Sequence, residues 1–139
     1  MDILVIDAQG GGIGRQLVTK LTERLPEAEI VAAGTNSMAT NAMVKAGAKR
    51  AATGENAIGF CAARAQIITG PIGILVANAM LGEITPTIAE SVGTSEASKV
   101  LVPTAYCNVM IAGTKELPVK ECIEDAVDRI VRMYSRGNN

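Results

Sequence analysis

An apolar run, Ile3-Leu4-Val5-Ile6, leads into the glycine-rich segment Gly10-Gly11-Gly12-Ile13-Gly14, and no other feature narrows the folding options as much. Four consecutive apolar residues closed by a turn describe a strand buried on both faces, as in the interior of a parallel sheet. At Gly12 the pattern changes. Ile13, Leu17, Leu21 and Leu25 recur every fourth residue, with Val18 beside them, until Pro26 ends the run. That spacing is one apolar face of a helix. A buried strand feeding a helix through a glycine turn is the opening of a βαβ unit.

The rest of the chain repeats the alternation. Strands are predicted over 29–33, 49–52, 66–69 and 99–103. A helix begins near Asn36 or Ser37, buries Met38, Ala42, Met43 and Ala46, and stops at Gly47. A short helix covers 55–63. Pro71 suits a first helical turn, and Ile72, Leu75, Val76, Ala79 and Met80 keep helical spacing, which predicts a helix from Pro71 to Leu81. Thr85-Pro86 opens another, ending at Gly93. In the last helix, after Pro118, Val119, Cys122, Ile123, Ala126, Val127, Ile130, Val131 and Tyr134 share one face. Residues 108–112 follow the fifth strand too closely for a parallel crossover, which takes about a dozen residues or more. They are predicted as a sixth strand, antiparallel at the sheet edge. The expected fold is α/β: a doubly wound, Rossmann-like three-layer domain of five mostly parallel strands plus that antiparallel edge strand, with helices on both faces. One domain covers 1–136, and 137–139 form a frayed tail.

Composition excludes several functions. The 139 residues carry a formal net charge of −1 with both signs scattered, and the aromatics are Phe60, Tyr106 and Tyr134. Nucleic-acid binding then lacks both an electrostatic basis and a stacking platform. Histidine, the commonest neutral-pH acid/base and metal ligand, is absent. Cys61, Cys107 and Cys122 form no C-x-x-C pair, so no metal site is predicted. Their odd number, with no charged-then-apolar leader opening the sequence, predicts reduced thiols and a cytoplasmic protein. Cys122 is expected to be buried. The longest apolar run, from Pro71 to Leu81, is too short for the roughly 20 residues of a membrane-spanning helix, so no membrane association is expected.

The first strand–helix junction carries the predicted function. Without Cβ atoms, the loop from Gly10 to Gly14 lets backbone approach a phosphate closely, and free N–H groups with the helix dipole favour the anion. The bland reading is a tight turn that packs helix on sheet. In open parallel sheets, ligands bind beyond the carboxyl ends of the strands where strand order reverses, which sets the loop opposite Gly70 and Pro71. The candidate ligand-binding residues are Asp7, Gln9, Gly10, Gly11, Gly12, Ile13, Gly14, Thr35, Asn36, Ser37, Gly70 and Pro71. Asp7 repels a phosphate, so it is read first as a brace accepting loop N–H bonds, with contact to a ribose hydroxyl or a magnesium ion as the alternatives. NAD(P) is the first candidate cofactor. The loop Gly34-Thr35-Asn36-Ser37 lacks the acidic residue that usually meets the ribose of NAD, which gives a lean to NADP. Asn36 or Ser37 also suits a helix cap. Glu55, after the third strand, is the best carboxylate for acid/base work, with dipole compensation as its plain alternative. Thr104 is a crevice-lining hydroxyl and Asn108 a turn residue.

The run Gly12-Ile13-Gly14-Arg15 resembles the end of the T-G-x-x-x-G-I-G loop of short-chain dehydrogenases, over the first strand and helix only. Asp7-Ala8 stands in place of Thr-Gly, and the family's Tyr-x-x-x-Lys has no counterpart, since Met110 follows Tyr106 by four. Most of the chain resembles a family of small bacterial proteins catalogued as a domain of unknown function. The segments are 7–14, Gly34-Thr35-Asn36-Ser37, Thr53-Gly54-Glu55-Asn56-Ala57-Ile58, Gly70-Pro71-Ile72-Gly73-Ile74 and Leu81-Gly82-Glu83-Ile84-Thr85-Pro86. That resemblance implies a Rossmann-like fold and no activity. Two function classes follow from the residues: an enzyme, such as an oxidoreductase, or a non-catalytic module that senses a nucleotide and acts through a protein partner. The helix from Pro71 to Leu81 is apolar nearly all round, which predicts a homo-oligomer built partly on it.

Overall fold

In the computed structural model, which describes residues 1–104 and 108–137, the opening apolar run becomes β1 (Ile3–Asp7), buried along its whole length. The other strands are β2 (Ile30–Gly34), β3 (Arg50–Thr53), β4 (Ile67–Pro71) and β5 (Ser98–Val102). They form one sheet in the order β3-β2-β1-β4-β5, and every pairing is parallel. The helices are α1 (Gly12–Arg24), α2 (Ser37–Lys45), α3 (Glu55–Ala62), α4 (Pro86–Thr94) and α5 (Val119–Gly137).

Alternation along the strands divides the core in two. Ile3, Val5, Ile30, Ala32 and Ile67 point to one face, where Leu17, Val18 and Leu21 of α1, Met43 of α2 and Ile123, Val127 and Ile130 of α5 cover them. Leu4, Ile6, Val31, Ala33 and Ile68 point to the other, under Ile58 of α3 and Ile88 and Val92 of α4. The result is a three-layer α/β domain. From β1 the chain winds out to β3, then returns to start β4 on the opposite side of β1, so the strand order reverses between β1 and β4.

Four sequence expectations are corrected. Residues 108–112 are described and form no strand. Asn108 takes a left-handed φ of 53° at a bend, as a turn residue would, and 108–112 are exposed with no strand against them. Among the described residues, the connection between β5 and α5 therefore adds no antiparallel edge to the sheet. Tyr106 and Cys107 lie outside the described residues, as do 138 and 139 of the predicted tail.

The helix from Pro71 to Leu81 is also absent. Pro71 ends β4, Ile72–Leu75 make a single 3-10 turn, and the chain then folds through tight turns to Ile84. Ile74, placed outside the core stripe by helical spacing, is fully buried, whereas Leu81 is 98% exposed. Tertiary contacts override the local preference here. Asn78 N–H donates to the Ile84 carbonyl at 2.6 Å and Ile84 N–H to Ala79 at 3.2 Å, which closes a loop and delivers Ile84 to the core. Asn78, Met80, Leu81 and Gly82 take left-handed φ angles of 66°, 58°, 58° and 86°. For Met80 and Leu81 that conformation costs roughly 1–2 kcal/mol each. In α2, the predicted core residue Met38 is 68% exposed, and Ala39, Thr40 and Met43 face inward instead. Cys122 is half-buried rather than buried.

Candidate functional site

The loop between β1 and α1 lies at the carboxyl end of the central strand, beside the reversal in strand order. Its glycines divide into two kinds. A Cβ on Gly11, whose φ is 71°, would meet the Ala39 backbone at 2.9 Å, and one on Gly14 would meet Met43 Sδ at 2.7 Å and Asp7 Cβ at 2.9 Å. These two let α1 settle against α2 and the sheet. Gly10 and Gly12 are exposed, and a Cβ on either would have nothing within 4 Å. Gly14→Val should cost about 2–3 kcal/mol through overpacking, read as a lowered midpoint in thermal or urea unfolding.

Asp7 is the brace expected from sequence. Its Oδ1 accepts from Ala8 N–H at 2.8 Å and its Oδ2 from Gly14 N–H at 2.7 Å. Burial pushes its pKa above the usual aspartate range; the two N–H bonds oppose that, and the charge of Glu83 adds to it. Gly11 N–H is satisfied by the Ala8 carbonyl at 3.0 Å. The N–H groups of Gly10, Gly12 and Ile13 donate to no acceptor among the described residues. The outer part of the loop thus combines open space with unused donors, which is what a phosphate oxygen requires.

Gly70 and Pro71 end β4 and are buried. A Cβ on Gly70, whose φ is 153°, would lie 2.2 Å from the Ile6 carbonyl oxygen. Gly70 therefore sets how closely β4 approaches β1 beneath the loop.

The segment after β2 hydrogen-bonds Glu83, the residue that sequence reasoning missed. Asn36 caps α2, its Oδ1 accepting from Ala39 N–H at 2.9 Å. Its Nδ2 donates to the Gln9 carbonyl at 3.1 Å and to Glu83 Oε1 at 2.9 Å. Thr35 Oγ1 donates to the same Glu83 oxygen at 2.7 Å, and Gln9 N–H does so at 2.9 Å. Glu83 therefore joins the β4–α4 connection to the glycine loop and to the β2 terminus. Ser37 is exposed and lines an open groove between α1 and α2 with Arg15, Met38, Asn41 and Lys45. The rule that loops after strand ends gather at one edge of the sheet pointed to Gly70 and Pro71; carried through the whole β4–α4 connection, it reaches Glu83.

Burial opposes ionisation of Glu83, but the hydrogen bonds from Gln9, Thr35 and Asn36 together outweigh it and hold the carboxyl below the usual glutamate range. A depressed folded-state pKa means that the ionised form stabilises the fold. That contribution is complete above the unfolded-state value and disappears as pH falls through the folded one. The stability gap between the parent and Glu83→Gln should be largest at neutral pH and close progressively in acid, as measured by urea unfolding across a pH series.

Glu55 accepts from Thr85 Oγ1 at 2.5 Å, so it ties the start of α3 to the cap of α4. Thr104 follows β5 and is half-buried. Among the described residues no group of three or more His, Cys, Asp or Glu could hold a metal ion, and no helix is long and apolar enough to cross a membrane.

A solved structure of similar fold agrees with this architecture. A dodecameric FMN-dependent UbiX-like decarboxylase from Escherichia coli O157:H7 is similar in structure, with a TM-score of 0.55 and 15% sequence identity over 97% of this chain and 94% of that one. A triphenylmethane reductase from a Citrobacter species gives a TM-score of 0.47 and 17% identity over 96% of this chain and 46% of that one. At such identities the first likeness is one of fold. No curated protein matches the chain. Residues 2–135 match the family model described as Domain of unknown function (DUF3842).

Proposed function

The chain belongs to the DUF3842 family, a domain of unknown function, and since a shared fold carries no activity of its own we propose, from the site alone, that it binds a nucleotide or dinucleotide at the loop from Gly10 to Gly14. The observation that carries this reading is the pairing of open space at Gly10 and Gly12 with the unused N–H groups of Gly10, Gly12 and Ile13, at the point where strand order reverses. NAD is the first dinucleotide to test, with NADP beside it. FMN joins the panel because the fold neighbour described above is FMN-dependent and its single phosphate suits the same donors.

Of the two function classes, a binding or sensing module is favoured over an oxidoreductase. The chain has no histidine, and the two carboxylates at the loop, Asp7 and Glu83, are both engaged by loop N–H groups rather than turned to acid/base work. Self-association belongs to the same reading. The nearly fully exposed Leu81 and Met110 offer apolar surface to a second copy, and the fold neighbour is a dodecamer. Calorimetric titration of the purified protein with NAD, NADP, FMN and nucleoside monophosphates tests the proposal. Saturable binding of one of them supports it. The absence of heat for all of them at millimolar ligand rejects it.

A further inference from the structure

We infer that Glu83 is a specificity residue of this site, accepting the ribose hydroxyls of the nucleotide and excluding one phosphorylated on the ribose. The inference rests on the nucleotide-binding reading and narrows it. NAD-binding sheets of this strand order commonly present a carboxylate to the ribose diol from the end of the second strand. Here β2 ends in Gly34-Thr35-Asn36, with no acid in the strand or its loop. The carboxylate arrives from the β4–α4 connection, and it occupies that place: Thr35 and Asn36, the two residues after β2, both donate to it.

Three features separate a hydroxyl acceptor from a surface glutamate. First, Oε1 takes three donors, from Gln9, Thr35 and Asn36, so the side chain is held in one orientation. Second, Oε2 accepts no hydrogen bond among the described residues, and Glu83 is half-buried rather than enclosed, so one oxygen stays available to a ligand. A fixed anion of this kind accepts from hydroxyls and repels phosphate. Third, the turn that delivers Glu83 holds Asn78, Met80 and Leu81 in left-handed backbone immediately before it. Strain of that sort persists where surrounding structure over-determines it, and it clusters at ligand clamps.

The same geometry weighs against the sequence argument for NADP. Glu83 takes the side-chain donors of Thr35 and Asn36, so a 2′-phosphate at the β2 terminus would lose both and face a carboxylate. The competing anion site is the groove of Arg15, Ser37 and Lys45, and the experiment distinguishes the two.

The protein is titrated calorimetrically with NAD and NADP, and with ribonucleoside 5′-monophosphates of the four bases beside their 2′-deoxy forms. Each titration is repeated with Glu83→Gln, which keeps the shape and removes the charge. The parent should bind NAD about tenfold or more tighter than NADP, and the best ribonucleotide tighter than its deoxy form by a similar factor, the worth of one charge-assisted hydrogen bond. In Glu83→Gln both preferences should shrink severalfold. A parent that binds ribo and deoxy forms equally overturns the inference while leaving nucleotide binding intact, and this comparison needs no variant to fold. A preference for NADP that disappears in Arg15→Ala overturns it in favour of the groove. Preferences unchanged in Glu83→Gln also overturn it. If no nucleotide binds the parent, the proposed function and this inference fall together.

Discussion

Gly70→Ala is expected to lose about 4 kcal/mol or more of folding stability, a large share of the ~5–15 kcal/mol available to a domain. The cause is backbone against backbone. A Cβ at this position would sit 2.2 Å from the Ile6 carbonyl oxygen, and a φ of 153° is one that residues with a Cβ rarely adopt. A flexible side chain can swing away from a new methyl group, but Ile6 is the fully buried penultimate residue of the central strand and cannot. Relief would require β4 to move away from β1, which would open the sheet where strand order reverses. Urea unfolding followed by circular dichroism reads the effect as a collapsed midpoint or as failure to accumulate folded protein. A midpoint equal to the parent's would show that the approach of β4 to β1 is not as close as described.

Gly12→Asp should have the opposite profile: nucleotide affinity lowered about a hundredfold or more, with the melting temperature close to the parent's. Gly12 is exposed, its φ lies outside the left-handed region, and a Cβ there would meet nothing within 4 Å. Aspartate in the first turn of α1 is favourable to the helix dipole, so the fold has no reason to suffer. The ligand does: the side chain fills the space a phosphate needs, and its charge opposes the anion. Calorimetry and a thermal melt on the same sample separate these effects. Parent-like affinity in the variant would reduce the loop to a structural turn.

The strands and most helices were legible because burial on both faces and four-residue spacing leave local marks. Ile3 to Ile6 read as a central strand and became one, and Ile13, Leu17 and Leu21 read as the inward face of α1. The brace role of Asp7 was legible for a similar reason, since both its partners lie within seven residues. The 71–81 segment misled because its spacing is helical while its fate is set by distant contacts: Ile84 must reach the core, and Glu83 must reach Gln9, 74 residues earlier. No local pattern encodes a contact of that span. The predicted sixth strand failed because length alone argued for it. A short connection forbids a parallel crossover but does not require pairing, and Asn108, left-handed, begins a connection that stays exposed. The Asn36 cap was legible in the sequence; its contact with Glu83 was not, and one asparagine uses its oxygen for the cap and its nitrogen for Glu83.

Binding of a phosphate at the outer glycine loop can be followed through the backbone amide resonances while the labelled protein is titrated with NAD, FMN and ribonucleoside monophosphates. The amides of Gly10, Gly12 and Ile13, which donate to no acceptor among the described residues, should shift first and furthest, while those of Ala8 and Gly14, held by Asp7, should move little. If Gly10, Gly12 and Ile13 stay fixed at millimolar ligand, or if the shifts cluster elsewhere on the domain, the loop is not the phosphate-binding site.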